Sequence, residues 1–283
     1  MTFRRALSFI LASLVFTSGA TFSALWYWNQ VQKKRGEDPQ YTIVALAQST
    51  PSGEPLKSAY LAELLGLSTD QPQNLYAFDA KAARKGLLGS ALIKNATITK
   101  IKPGTLLIDY ELRQPVAFSG DFSNTAIDAE GVLIPFKPFF TPKKLPILAL
   151  GEQEEESGKW GKPLTSRKSQ LALRVFHTLQ RAFNGEPIQL LQLDVSRAHA
   201  LSYGQRELIA LVEDKRETGQ KLVITPIYLR LSPGNYTQEI ANFLKMRPKL
   251  PMALSESAPG KVVHNKALLI ELRVPQLAFV SSL

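Results

Sequence analysis

The stretch TLLIDYELRQPVAF, Thr105 to Phe118, decides how the chain is divided. Leu106, Ile108, Tyr110 and Leu112 fall on one face of an extended segment and Asp109, Glu111 and Arg113 on the other, the pattern of an antiparallel strand buried on one side. A charged residue, a Gln and a Pro then interrupt the alternation before apolar residues resume. Proline has no N–H to give to a ladder, so a strand that meets one is ending, or is changing sheets.

Working outward, ALIKNATITKIKPGTLLIDYELR predicts a hairpin with Pro103-Gly104 as its turn. Before it, NLYAFDAKAARKGLLG predicts a helix to about Leu88, with Asp79 accepting from its first amides and Leu75 and Phe78 anchoring its start. LKSAYLAELLG sets Leu56, Tyr60, Leu61, Leu64 and Leu65 at helical spacing, with Gly66 as the stop. YTIVALAQ, Tyr41 to Gln48, predicts a first strand, and GEDPQ, Gly36 to Gln40, a short polar linker ahead of it. The order is β-α-α-β-β, a three-stranded sheet with two helices on one face.

Downstream, TAIDAEGVLIPF predicts a hairpin bent at Asp128 to Gly131, and LPILALG a further strand. Thr165 to Phe183 and Tyr236 to Met246 have helical stripes. Ile188 to Val195, Ala198 to Tyr203, Glu207 to Glu213 and Lys221 to Leu231 are expected strands, the last two joined by a polar turn with Gly219. ALLIELRVPQLAFV closes the chain, alternating through Leu268, Ile270, Leu272 and Val274. The fold class is therefore α+β, with a second, β-rich domain carrying two helices.

The chain has 283 residues, 45% of them hydrophobic and 20% charged, which suits two folded units and excludes a largely disordered chain. Its net charge of +10 is spread along the chain with no interleaved aromatic and basic residues, a pattern unlike a nucleic-acid interface. A positive surface facing anionic lipid or acidic partners accounts for it. There is no Cys, so disulfides, thiolate metal sites and Cys nucleophiles are excluded.

From Ala6 to Trp28 no residue is charged. As a helix this stretch covers about 34 Å, enough for the roughly 30 Å hydrocarbon core of a bilayer. Trp26, Tyr27 and Trp28 stand at its end, where amphipathic rings favour the headgroup level. A cleaved signal peptide with Ser18-Gly19-Ala20 as its site is the alternative; the long apolar stretch and the aromatic belt favour a retained anchor. Arg4 and Arg5 on one side and Lys33, Lys34 and Arg35 on the other leave the orientation open by charge alone.

Catalytic signatures are absent from the sequence. His177, His199 and His264 are too far apart for local metal spacing and are expected to be structural. The run Glu152 to Glu156 is expected to be a solvated loop, and Asp109 with Glu111 a charged strand face rather than a glycosidase pair. No nucleophile elbow, Walker loop, dinucleotide fingerprint or zincin motif occurs. No cofactor, small-molecule substrate or nucleic acid is expected, and a binding or scaffolding role follows.

Five motifs in order, LAELLGL (61–67), NLYAFD (74–79), ATITKIKPGTLLIDYELRQPVA (96–117), AIDAEG (126–131) and LPILALG (145–151), resemble the FtsQ/DivIB family of bacterial cell-division proteins. YLRLSPGNYTQEIANFL and LLIELRV are similar to later family segments, though Glu271 stands where the family usually has Asp and Val274 where it often has an aromatic. The resemblance implies a cytoplasmic tail and transmembrane anchor over 1–35, a POTRA domain over 36–114 and a β domain over 115–283. It implies that Arg113, Gln114 and Pro115 form the hinge between the last two.

It also implies a single-pass protein of the bacterial inner membrane with its bulk in the periplasm, a non-enzymatic divisome scaffold working in septum formation. FtsB-like and FtsL-like membrane proteins, with other divisome components, would be its partners. By strand addition at the C-terminal edge, Arg273, Val274 and Gln276 would touch the partner, with Arg197 a second basic contact. Two other readings compete. One is a POTRA-bearing envelope protein of a secretion or outer-membrane-assembly system; the other is an extracytoplasmic enzyme whose site is assembled from distant residues.

Overall fold

The computed structural model describes residues 3–51, 53–151, 160–218, 221–250 and 262–283, with backbone alone at 3–10 and 218. It is α+β, and its contacts divide it into two compact units, Met1–Leu112 and Arg113–Leu283.

The first unit begins with α1 (Phe3–Glu37). Among the described residues, no helix is long and apolar enough to cross a membrane. The expected anchor starts at Ala6, whose side chain lies outside the described residues; Trp26, Tyr27 and Trp28 are exposed on the helix. The expected polar linker is not one: α1 runs through Gly36, and a 3-10 turn over Pro39–Tyr41, capped by Asp38, takes its place. The first strand is correspondingly shorter than expected, β1 (Ala45–Ser49).

Next come α2 (Ser58–Leu64), α3 (Ala80–Gly89), β2 (Ile93–Ile101) and β3 (Thr105–Leu112). Asp79 caps α3 as expected, accepting from the amides of Lys81 at 2.9 Å and Ala82 at 3.1 Å. The strand order is β1-β3-β2, with β3 parallel to β1 and antiparallel to β2. Leu106, Ile108, Tyr110 and Leu112 are all buried, while Asp109 and Glu111 face solvent. Leu61 of α2 and Leu87 of α3 are buried as fully, α2 packing on β1 and α3 on β2. Tyr110 ties the layers by polar contact too: its hydroxyl accepts from the Leu56 amide and donates to Gln48, both at 2.8 Å.

The second unit begins its first strand three residues after β3 ends. Its strands are β4 (Pro115–Ser119), β5 (Thr125–Asp128), β6 (Leu133–Pro135), β7 (Ile147–Ala149), β8 (Ile188–Asp194), β9 (Leu208–Thr218), β10 (Lys221–Leu231), β11 (Val262–His264), β12 (Leu268–Glu271) and β13 (Phe279–Ser282). Among the described residues its α-helices are α4 (Arg167–Phe183), capped by Ser166, and α5 (Tyr236–Met246). One mixed sheet holds all ten strands in the order β13-β12-β10-β9-β8-β7-β4-β5-β6, with β11 beside β10. Ala172, Phe176 and Leu179 of α4 and Ile240 and Phe243 of α5 bury against the inward rows of β8, β9 and β10, and Phe183 meets Phe243 edge to face at 6.3 Å. A Phe buried this fully is worth about 1.5–3 kcal/mol.

Two expected strands are corrected. Ala198 to Tyr203 forms turns leading to a 3-10 helix over Tyr203–Gln205; Ala198 is buried, but Leu201 and Tyr203 point outward. The closing strand stops at Glu271, turns through residues 272–278, which include Pro275, and returns as β13. Glu152 to Glu156 and Gly219 lie outside the described residues.

Candidate functional site

The C-terminal corner of the second unit brings charged groups and exposed apolar side chains together. β12 lies parallel to β10, with Arg230 opposite Glu271, and antiparallel to β13, with Ile270 opposite Val280 and Glu271 opposite Phe279. Both flanks of β12 are thus paired, and the open border of the sheet is β13. The amide of Leu283 donates to the Ala267 carbonyl at 2.8 Å. Antiparallel pairs alternate between bonded and non-bonded, so residues 281 and 279 also turn their backbone groups toward β12. Those of Val280 and Ser282 face outward, and among the described residues no strand lies beyond them.

All four residues of β13 are exposed, and Leu277, Phe279 and Leu283 are each more than half exposed. The opposite border is built differently. β6 is buried throughout, and the segment 161–164 seals it: Gly161 donates to the Leu133 carbonyl at 2.8 Å and Leu133 to the Lys162 carbonyl at 3.3 Å. An unpaired apolar border is a liability unless something covers it.

Beside β13 stands a network of three arginines and two glutamates. Glu207, only 4% exposed, accepts from Arg230 Nη2 at 2.5 Å and Nε at 2.7 Å, and Arg197 Nη1 lies 3.4 Å from its other oxygen. Arg230 continues to Glu271 at 3.0 Å. Arg273 grips Glu271 with Nε and Nη2, each at 2.8 Å, and its Nη1 donates to the carbonyls of Gly204 and Arg206. The Glu271 carboxyl is held below its usual range: burial pushes it up, but the Arg273 guanidinium outweighs that. Nearby, burial raises Glu239, whose carboxylate accepts from the amide and hydroxyl of Ser232.

Two grooves, of about 560 and 660 Å³, open on either side of this network, and Asn235, Arg273 and Val274 border both. The first runs between α5 and the turn 272–278. The second is lined by Tyr203, Arg206 and Phe279, with Arg206 stacked 4.1 Å over the Tyr203 ring. The corner therefore offers backbone donors and acceptors in a row, apolar side chains beside them and cationic side chains at the end, the components of strand-addition binding.

Arg273, Val274 and Gln276 were expected on the border strand; they occupy the turn that carries the chain into β13, where Gln276 takes a left-handed φ of 63°. Arg273 and Val274 still line both grooves, and Arg197 lies in the adjoining loop with its side chain largely exposed. Sequence reasoning missed Tyr203, Phe279, Val280 and Ser282. Pro275 carried the signal, because a proline within an alternating run marks a strand break.

Elsewhere, Arg113 pairs with Asp128 at 2.8 Å and Glu130 at 3.1 Å inside the second unit, Gln114 is exposed and Pro115 is buried at the start of β4. His177 lies 3.2 Å from the Ala129 carbonyl, His264 is on β11 and His199 lines the larger groove. Among the described residues, no group of three His, Asp or Glu could hold a metal ion. No family model matches the chain, nor does any curated protein.

Proposed function

We propose that the chain is a non-enzymatic scaffold of the bacterial divisome, of the FtsQ/DivIB kind, with α1 as its single-pass anchor in the cytoplasmic membrane. In this reading the first unit is the POTRA domain and the second the β domain, both extracytoplasmic. The scaffold binds FtsB-like and FtsL-like coiled-coil proteins and links early and late division proteins at the septum. The β-α-α-β-β order and the five-motif resemblance support the domain assignments. Residues 6–10, Ala-Leu-Ser-Phe-Ile, extend the uncharged stretch ahead of Leu11 and support the anchor.

The observation that carries the binding role is the open β13 border, apolar and unpaired beside a cationic groove. A partner strand laid along it would take the outward groups of Val280 and Ser282, and acidic residues of that partner would meet Arg273 and Arg197. The test is co-purification of the full chain with the host's FtsB-like and FtsL-like proteins, using Val280→Pro as the probe. This substitution deletes one outward donor and leaves the β12 ladder intact, as prolines on sheet borders do. Capture by the parent chain and a loss of about fivefold or more in the variant is expected, since one net hydrogen bond is worth about 1 kcal/mol and the ring adds a steric block. Equal capture by both would remove β13 as the binding edge.

A further inference from the structure

Every residue of α1 from Leu11 to Gln30 is exposed, whereas Val31, Gln32, Arg35 and Gly36 are half-buried. The body of the first unit therefore meets the helix about 4.5 Å past Trp28, three residues of helical rise. The joint is fastened. Asn74 Nδ2 donates to the carbonyls of Arg35 at 3.0 Å and Asp38 at 2.9 Å, while its Oδ1 accepts from the Tyr76 amide at 2.8 Å. The Arg35 guanidinium stands 5.6 Å from the Tyr76 ring centre and the Lys102 ammonium 5.9 Å from the same centre, with Tyr41 edge-on at 4.8 Å.

Lys102 belongs to the β2–β3 turn. The Gly104 carbonyl in that turn accepts from the Val44 amide at 2.9 Å, so exposed Val44 and Ile101 flank the cation. Among the described residues, none of Lys33, Lys34, Arg35 and Lys102 forms an ion pair. Glu37 and Asp38 follow on the chain and keep their charge, Asp38 accepting from the Gln40 amide, so four cations stand against two carboxylates and the rim is positive by balance.

We propose that this rim, Lys33, Lys34, Arg35 and Lys102 with Val44 and Ile101 beside them, docks on the anionic phospholipid surface of the bilayer that α1 enters. The inference rests on the anchor reading. If the aromatic belt marks the edge of the hydrocarbon, the headgroup layer extends about 5–8 Å beyond it. Lys33 to Arg35 lie about 7.5–10.5 Å past Trp28, at the outer face of that layer and just beyond it, where their long side chains reach back to the phosphates. With no slack between helix and body, the unit sits at that depth whenever the helix is inserted. Each cation near an anionic surface contributes about 1 kcal/mol, close to fivefold in the docking equilibrium.

The chain has no Cys, so Val44→Cys supplies a single site for a fluorescent label. The full chain is placed in bilayer discs of phosphatidylcholine alone or mixed with phosphatidylglycerol, with a nitroxide lipid at headgroup level as quencher. Quenching is expected with phosphatidylglycerol, with Lys34→Gln and Lys102→Gln each weakening it about fivefold, and high salt reversing it. Equal quenching in both lipids, or none in either, overturns the rim as a docking surface. An alkaline carbonate wash separates the two readings: a chain stripped from the bilayer overturns the anchor and the rim with it, whereas a retained chain blind to lipid charge overturns the rim alone.

Discussion

At Gly104 the chain has room for a hydrogen and nothing larger: a Cβ built there would stand 2.0 Å from the Thr42 carbonyl oxygen. The obstacle is backbone, which cannot swing aside as a side chain can. Gly104→Ala is therefore expected to cost the first unit about 1–3 kcal/mol, read as a lower denaturation midpoint; an unchanged midpoint would mean that the 42–44 segment is not held against the turn. Glu239 poses a different residue-level question, because burial holds its carboxyl above the ordinary value of 4.5. An acid raised in the folded state stabilises it most below the unfolded value, and that contribution fades as pH climbs through the folded one. Glu271 is lowered and acts in the opposite sense, its contribution present above 4.5 and lost as pH falls. In Glu239→Gln, which keeps an acceptor for Ser232, the Glu271 contribution of these two is the one that remains. Urea unfolding at a mildly acid and at neutral pH is expected to show stability rising more with pH in the variant than in the parent; parallel curves would rule out a buried, titrating Glu239.

β13 shows how one element can have two kinds of position. Val280 turns its amide outward and Ser281 turns its own toward β12, so proline is tolerated at the first and breaks the ladder at the second. Ser281→Pro is expected to lower the stability of the second unit and expose amides of β12 to hydrogen exchange, while Val280→Pro leaves both unchanged; equal effects would show that the register is not the one observed. This hairpin also marks the limit of what could be read in advance. The rows 106–112 and 223–231 and the α4 stripe were legible because each buries one face, and burial imposes a period on the residues. The extent of β10, Lys221 to Leu231, was legible too, but not the reason for Pro226 in its middle. On one side β11 pairs with residues 222–224 and β12 with 227–230, so the proline falls where the ladder passes from one short strand to the other. Asn265 bridges that gap, donating from its amide to the Ile224 carbonyl at 2.9 Å and from its side chain to Thr225 at 3.1 Å. Such pairing between strands far apart in sequence leaves no local pattern. The corner site was half legible for the same reason: Arg273 and Arg197 could be singled out as cations, but the strand beside them could not be placed before the turn at Pro275 was seen.

Taken as a whole, the second unit finishes its sheet at one end and leaves it open at the other. At β6, the segment 161–164 takes the outward groups of Leu133 and Val132 bridges Pro163, so that border is covered there. At β13, among the described residues, the border groups are free and the side chains around them are apolar. A sheet with one such border has a directional stickiness: a second copy can pair border to border about a two-fold axis, and the assembly then stops, because both open edges are consumed. Without a partner, the chain is therefore expected to form dimers and not fibres as its concentration rises. The net charge of +10 opposes this and should make it stronger in high salt. Phe279→Lys puts a charge on an exposed position of the border without removing any ladder bond. It is expected to hold the chain monomeric at concentrations where the parent sediments as a dimer. Because a partner strand would compete for the same backbone groups, adding the partner should dissolve the parent's dimer as well. A dimer that survives Phe279→Lys, or one that binds the partner while staying intact, would place the self-association on another surface and separate it from the partner edge.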